Sequence, residues 1–230
     1  MKKEMKQIES NDLKKIGASV KSKLVTRLKP LLLPVGFIQT KNAFWNRFTK
    51  TMRHSFEFRQ TSNKFDIRYG YLVLDKYGTE ENYTINMNEN VYSCLWEKRW
   101  ALPTKMAKID EYVHELVAYV NEGLLFFEQY MESSQLVIDY ENGLIDKLYF
   151  AEDPGWQAYL MGIAYFNSEN FQAAINSFQE VVGKWSDKNL DFIQTRKRTS
   201  ELWIQEIQKR LLSVPAACPC PRVLVHQESP

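Results

Sequence analysis

The stretch Ala158-Tyr159-Leu160-Met161-Gly162-Ile163-Ala164-Tyr165-Phe166, followed by Phe171-Gln172-Ala173-Ala174-Ile175-Asn176-Ser177-Phe178, decides the architecture of the C-terminal half. Its spacing predicts two helices that fold back on each other as a hairpin. Gly162 and Ala174 are small, so the two helices can approach closely, and three aromatic residues (Tyr165, Phe171 and Phe178) would fill the space around the contact. One hairpin cannot bury its faces alone, so it needs helical neighbours.

Those neighbours are predicted on both sides of the hairpin. The segment Ser133–Phe150 has a weaker helical pattern, interrupted at Asn142-Gly143, and Asp153-Pro154-Gly155 caps the start of the hairpin. The hairpin's second helix should run to about Trp185, and a further helix from Ser186-Asp187 to about Leu212. We therefore predict an all-helical region over residues 133–212.

The remaining residues, 213–230, change character. They contain four prolines and two cysteines and show no hydrophobic period. We expect this segment to be a disordered tail.

The region 37–100 follows a different period, that of β-strands. His54, Phe56 and Phe58 alternate with polar residues, and so do Phe65, Ile67, Tyr69 and Tyr71. An aromatic alternation of period two predicts strands with one buried face. Thr61-Ser62-Asn63-Lys64 separates the two runs as a hairpin loop. Further strands are predicted at 44–49, 83–87 and 92–96, which together indicate an antiparallel meander.

A helix is predicted on each side of this sheet. Leu13, Ile16, Val20, Leu24, Leu28 and Leu31 form one apolar stripe, which Ser10, Asn11 or Asp12 can cap and which Pro34 and Gly36 terminate. After the sheet, Pro103-Thr104 opens a long helix that is expected to kink at Gly123. The predicted fold class is α+β: a helix, an antiparallel meander and a long helix in residues 1–132, followed by the all-α region.

Composition narrows the class of protein. The chain has 230 residues and a net charge of +2, with 44% hydrophobic residues, as in ordinary soluble globular proteins. Three cysteines (Cys94, Cys218 and Cys220) do not make a disulfide framework, and Cys218-Pro219-Cys220 lacks a second ligand pair for zinc. No leader and no run of about 18 apolar residues is visible, so a cytoplasmic protein without a membrane span is expected.

The first 29 residues carry nine Lys/Arg and three Asp/Glu, which gives them a net charge of +6. A basic amphipathic helix of this kind can touch a membrane or nucleic acid. A solvated polar helix face is the favoured interpretation.

No catalytic signature is present: the chain has no phosphate loop, dinucleotide fingerprint or metalloprotease motif. The three histidines (His54, His114 and His226) have no paired spacing for a metal, and a structural role is expected for each. We therefore predict that the protein is not an enzyme and holds no cofactor or metal.

The predicted binding site lies on the sheet. Six residues are predicted to share the strand phase opposite the aromatic core and to face a protein partner: Trp45, Arg47, Glu57, Arg59, Asp66 and Arg68. Trp and Arg are enriched among binding hot spots. Two alternatives remain open: a solvated face with ion pairs between these neighbours, or a face covered by a helix. Because the phenylalanines share the core phase, a nucleic-acid partner is not expected.

Parts of the chain resemble known families. The hairpin at about 156–182 is similar to a tetratricopeptide hairpin. Residues 20–130 resemble a bacterial domain of unknown function, family 4304, in the following segments: Leu28-Lys29-Pro30-Leu31-Leu32-Leu33-Pro34-Val35-Gly36-Phe37, Phe44 with Arg47-Phe48, Phe58-Arg59-Gln60-Thr61-Ser62, and Phe65 with Ile67 and Tyr69-Gly70. The run Cys94–Trp100 resembles a later strand of that family but lacks its doubled tryptophan.

The second resemblance implies a cytoplasmic bacterial protein, and some members are proposed immunity proteins of toxin systems. It carries over no catalytic residues. The function predicted from the sequence is a non-catalytic protein-interaction module, with an immunity-type protein that binds and blocks a toxin as its specific form. A tetratricopeptide-like peptide-binding adaptor and an enzyme with an unrecognised site are the alternatives, and the partner's identity and the oligomeric state stay open.

Overall fold

The computed structural model describes residues 2–41, 44–61, 63–74, 96–144 and 154–213. The helices are α1 (Lys2–Leu32), α2 (Ile109–Gln129), α3 (Ser133–Glu141), α4 (Pro154–Asn167), α5 (Phe171–Lys184) and α6 (Asp191–Ser213), and a short 3-10 turn at Met106–Lys108 precedes α2. The strands are β1 (Ile38–Lys41), β2 (Phe44–Phe48), β3 (Met52–Gln60), β4 (Lys64–Val73) and β5 (Trp96–Ala101). This is an α+β fold with a helical C-terminal region, as predicted.

The sheet is an antiparallel meander in the order β1-β2-β3-β4-β5. Strands β2, β3 and β4 lie where the alternation predicts them. Strand β1 was not predicted, and β5 begins at Trp96, where the expected strand 92–96 ends. The strand predicted at 83–87 and the first part of 92–96 lie outside the described residues.

Helix α1 is longer than predicted, because it begins at Lys2 rather than near Ser10–Asp12. Those polar residues cost a helix interior little, and no proline or glycine precedes them, so nothing stops the helix there. Its end agrees with the prediction: Gly36 adopts a positive φ of 86°, and the Phe37 amide donates to the Leu32 carbonyl at 3.0 Å.

Helices α1 and α2 pack on the same face of the sheet. Leu24 and Leu28 of α1 share a small cavity with Trp45 and Phe65. On α2, a Cβ atom placed on Gly123 would lie 2.7 Å from the Phe56 ring. Gly123 therefore serves as a point of close approach inside a helix that is assigned without a break from Ile109 to Gln129.

The helical half is built around the predicted hairpin of α4 and α5. A Cβ atom at Gly162 would lie 2.6 Å from the Phe178 ring, which confirms the close approach of the two helices. Trp203 of α6 stacks on Phe178 with ring centroids 5.8 Å apart. Three successive helices thus share one aromatic core. Of the preceding helical segment, α3 accounts for 133–141, and residues 145–150 lie outside the described residues.

Hydrogen bonds join the two halves of the chain. The Asn167 side chain, at the end of α4, donates to the Leu74 carbonyl at 2.8 Å and to Ser133 Oγ at 3.0 Å. The Ser133 amide in turn donates to Thr51 Oγ1 at 2.9 Å. The boundary predicted between 132 and 133 therefore falls inside a hydrogen-bond network shared by both halves. The predicted tail starts at Ser213, the last residue of α6, and its other residues lie outside the described ranges.

Candidate functional site

The two faces of the sheet divide the six predicted binding residues. Trp45 is directly opposite Phe56, and Arg47 is directly opposite His54, so both side chains share the helix-covered face with the aromatic core. Trp45 is 2% exposed, and Arg47 is also buried. Placing these two residues on the outward phase was wrong. Alternation fixes the phase within each strand, but the phase between strands depends on the register that the intervening turn sets.

Arg47 belongs to a buried polar cluster with His54. Its Nε donates to His54 Nδ1 at 3.2 Å, and its terminal NH1 donates to Glu128 of α2 at 2.9 Å. The ring nitrogen Nε2 of His54 lies 2.8 Å from the Tyr130 carbonyl and donates to it. The cluster connects β2 and β3 to the C-terminal end of α2, which is a structural role.

The environment of His54 holds its imidazole neutral. The pKa of His54 is lowered to about 4, chiefly by burial and also by the nearby Arg47 charge. The hydrogen bond to Tyr130 opposes this shift. The imidazole also stacks on Phe127 with centroids 4.5 Å apart. The structural role predicted for His54 agrees with this geometry.

The other four predicted residues do share the opposite face, and the register adds two more from β5. We call the six residues Glu57, Arg59, Asp66, Arg68, Glu97 and Arg99 the charged ladder. Two rows run across β3, β4 and β5: Arg59, Asp66 and Arg99 form one, and Glu57, Arg68 and Glu97 form the other. Charges alternate in both directions, as on a checkerboard. Glu97 and Arg99 were missed because the strand predicted from the sequence stopped at Trp96.

Ion pairs connect the ladder. In the Glu57 row, Arg68 NH2 lies 3.0 Å from Glu97 Oε2, and Arg68 NH1 lies 3.8 Å from Glu57 Oε2. In the other row, Arg99 Nε lies 3.9 Å from Asp66 Oδ1. Along their own strands, Arg59 pairs with Glu57 and Arg99 pairs with Glu97.

Exposure differs sharply between two acids of the ladder, Glu57 and Asp66, and its two outer arginines. The side chains of Glu57 and Asp66 are 3% and 10% exposed, whereas those of Arg59 and Arg99 are 40% and 57% exposed. Partial burial alone would raise the pKa of Glu97, but the hydrogen bonds from Arg99 and Arg68 lower it below its usual value, so Glu97 is ionised at neutral pH. The ladder has no formal net charge, yet the charge that reaches solvent is mainly positive.

The solvated-face alternative describes only part of this arrangement. The pairing of Glu57 with Arg59 is present, but Glu57 is buried, and within the described part of the chain its Oε2 and Asp66 Oδ1 accept no hydrogen bond. The buried carboxylates act as counter-ions that anchor the arginines to the sheet.

The helical half offers a less open surface. Helix α4 has fourteen residues, of which eleven are buried: Gly155, Ala158, Tyr159, Leu160, Met161, Gly162, Ile163, Ala164, Tyr165, Phe166 and Asn167. A peptide groove would require α4 to present one side to solvent. Its other notable feature is Arg196 of α6, whose guanidinium lies 5.1 Å from the Tyr159 ring centroid and donates to the Tyr159 hydroxyl. Sequence reasoning missed this buried cation, which lies over the rings of Trp156 and Tyr159 on α4.

A groove of about 460 Å³ runs between α1 and α2, lined by Ser22, Lys23, Thr26, Arg27, Asp110, Val113, His114 and Val117. Lys23 pairs with Asp110 at 2.7 Å across it. His114 is one of these lining residues, and no second histidine stands among them. Cys94, Cys218, Cys220 and His226 lie outside the described residues. Within the described ranges, no three His, Cys, Asp or Glu side chains are grouped so as to hold a metal ion.

No protein-family model, curated protein or solved structure matches this chain. The resemblances to family 4304 and to tetratricopeptide hairpins therefore stay predictions. Among the described helices, none combines the length and the apolar character needed to cross a membrane.

Proposed function

We propose that the protein is a non-catalytic, cytoplasmic protein-interaction module whose partner docks on the charged ladder. The specific form proposed is an immunity-type protein that binds and blocks a toxin. The observation that carries the proposal is the pair of exposed arginines, Arg59 and Arg99, each held by carboxylates on a hydrogen-bonded sheet.

Physical chemistry favours such a surface for binding. Arginine is over-represented at binding hot spots, and anchoring its side chain beforehand reduces the conformational entropy that binding removes. Strands β3, β4 and β5 are paired along the whole ladder, so the Cα atoms of the two arginines keep a fixed spacing. An inhibitor of a toxin needs this kind of shaped, charged surface and requires no catalytic group.

The adaptor is the second candidate, because Gly162 and Phe178 form the close helix contact that the hairpin predicts. The burial of α4 argues against a peptide groove along that helix. An enzyme with an unrecognised site is the third candidate.

The test begins with the full chain, immobilised and exposed to a lysate of its host, and the captured protein is identified by mass spectrometry. That protein is then purified and titrated by calorimetry against the wild-type chain, Arg59→Glu, and the matched control Arg198→Glu. Arg198 is an exposed cation on α6, far along the chain from the ladder.

We expect Arg59→Glu to weaken binding by at least about tenfold and Arg198→Glu to leave it unchanged. If only Arg198→Glu weakens binding, the site belongs to the helical half and the adaptor is favoured. If the partner is a toxin, an equimolar amount of the chain should abolish its activity. A partner that retains full activity while bound contradicts the immunity form.

A further inference from the structure

We infer that the partner presents clustered carboxylates to the charged ladder, so that the ladder recognises an acidic protein segment. This inference rests on the proposed function and adds the chemistry of the partner. Its starting point is the difference in exposure between the buried Glu57 and Asp66 and the exposed Arg59 and Arg99. An approaching molecule meets these two guanidinium groups before it meets Glu57 or Asp66.

Lys64 extends the positive surface beyond the ladder. It lies two residues before Asp66 on β4, so its side chain points to the same face, and it is exposed. Its partner across the strands is Ala101, whose small side chain leaves room around the ammonium group. Arg59, Lys64 and Arg99 together form a patch on three neighbouring strands at the end of the sheet that carries the β3–β4 turn.

The geometry of the arginines suits carboxylates. Arg59 and Arg99 direct their Nε atoms to Glu57 and Glu97, and within the described residues no hydrogen bond engages their terminal nitrogens. Two terminal nitrogens of one guanidinium match the two oxygens of one carboxylate as a planar, bidentate pair. Each arginine can therefore take one acidic side chain of the partner.

The same arrangement disfavours a nucleic-acid backbone. Three adjacent strands span only about 10 Å, and the cations in that distance are interleaved with Asp66 and Glu97. A continuous row of phosphates would meet those acids, whereas separate carboxylates on a protein can be placed to avoid them. The small net charge of the whole chain, +2, gives no additional attraction for a polyanion.

The experiment uses fluorescence anisotropy of two labelled probes of equal length, a decaglutamate peptide and a decathymidylate strand, titrated with the full chain at low salt. The test variant is Arg59→Gln with Arg99→Gln, and Lys64→Gln is tested separately. The matched control is Lys14→Gln with Lys15→Gln, which removes the same charge from exposed positions on α1.

Wild-type chain should bind decaglutamate more tightly than decathymidylate. The double arginine variant should lose at least about tenfold in affinity for decaglutamate, Lys64→Gln should lose less, and the α1 control should stay within about twofold of wild type. Raising the salt concentration should weaken binding, because exposed charges are screened.

A folding control is needed, because removing Arg59 leaves Glu57 buried with one fewer cation. If circular dichroism shows that the double glutamine variant is unfolded, Arg59→Lys with Arg99→Lys replaces it. That pair keeps the charge but loses the planar fork, and it should bind decaglutamate more weakly than wild type while remaining folded.

Several results would overturn the inference. An equal loss of decaglutamate affinity in the α1 control would mean that binding depends on the overall charge of the chain and not on the ladder. Tighter binding of decathymidylate than of decaglutamate would assign the patch to nucleic acid. Sedimentation would detect self-association of the chain. If the wild type self-associates and the double arginine variant does not, the ladder binds a second copy of this chain. The exposed acids of α2 would then be the contact on that copy: Asp110, Glu111, Glu115 and Glu122.

The inference and the proposed function can fail separately. The captured partner can bind in a way that depends on Arg59 and yet be insensitive to salt and to competition by decaglutamate. In that case the docking site stands and the acidic chemistry is wrong.

Discussion

The two faces of the sheet bury charges of opposite sign: an arginine on the helix-covered face and carboxylates on the ladder face. On the helix-covered face, the buried Arg47 is bonded to His54 and Glu128. On the ladder face, the acids Glu57 and Asp66 are buried and the cations Arg59 and Arg99 reach solvent. The first arrangement uses a charged group to connect elements of the fold, and the second leaves hydrogen-bond donors open to a partner. Exposure, rather than residue type, separates the structural Arg47 from the two arginines proposed to bind a partner.

The largest expected difference between the faces is at β2. Trp45→Ala should lower the free energy of unfolding by about 3–5 kcal/mol, because it removes a buried indole ring and leaves a cavity. Phe48→Ala is the matched control on the same strand, since Phe48 points to the other face and is 44% exposed. It should cost less than about 1 kcal/mol. Urea denaturation measures both, and equal losses would contradict the assignment of faces.

Acid should lower the free energy of unfolding, because His54 is buried on the helix-covered face as a neutral imidazole. The folded pKa of about 4 lies below the ordinary value of 6.5, so the unfolded chain binds the proton more readily in this window. The free energy of unfolding is therefore highest above pH 6.5 and falls as the pH drops toward 4. The His54 contribution to this fall is about 3 kcal/mol.

The pH prediction is checked by urea unfolding at several pH values between 7 and 4. His54→Phe should flatten the dependence in that window, because it removes the titrating group. A wild-type slope in the His54→Phe variant would assign the acid sensitivity to other groups.

Close packing of the kind seen at Gly123 recurs in the helical half at Gly162. Gly162→Leu should cost about 1–3 kcal/mol or more, because the added side chain meets the Phe178 ring. Gly183→Leu on α5 is the control, since a Cβ atom there has no neighbour within 4 Å. If thermal unfolding of the two variants is alike, the pairing of α4 with α5 is wrong.

Local patterns predicted the elements well and their mutual placement less well. The alternations at 54–58 and 65–71 located β3 and β4, and the small Gly162 located a helix contact. The side on which Trp45 faces depends on the register between β2 and β3, which no pattern inside either strand contains. The bond from Arg47 to Glu128 joins residues 81 positions apart, and one sequence carries no local signal for it. Four ladder residues could be predicted from the alternation within β3 and within β4. Glu97 and Arg99 could be predicted only with the correct bounds of β5.

The smallest expected effect distinguishes the two exposed arginines of the ladder. Arg59→Ala removes the nearest cation from Glu57, whose side chain is only 3% exposed, so a buried carboxylate loses a charged hydrogen bond and stability should fall by about 1–2 kcal/mol. Arg99→Ala leaves Glu97 23% exposed and still paired with Arg68, and it takes from Asp66 only a 3.9 Å ion pair that is not a hydrogen bond, so its urea midpoint should fall less than that of Arg59→Ala. Both variants should nevertheless weaken binding to the partner. If Arg99→Ala unfolds as readily as Arg59→Ala, the acids beneath the two arginines are equally desolvated, and the ladder is a structural network rather than a docking surface.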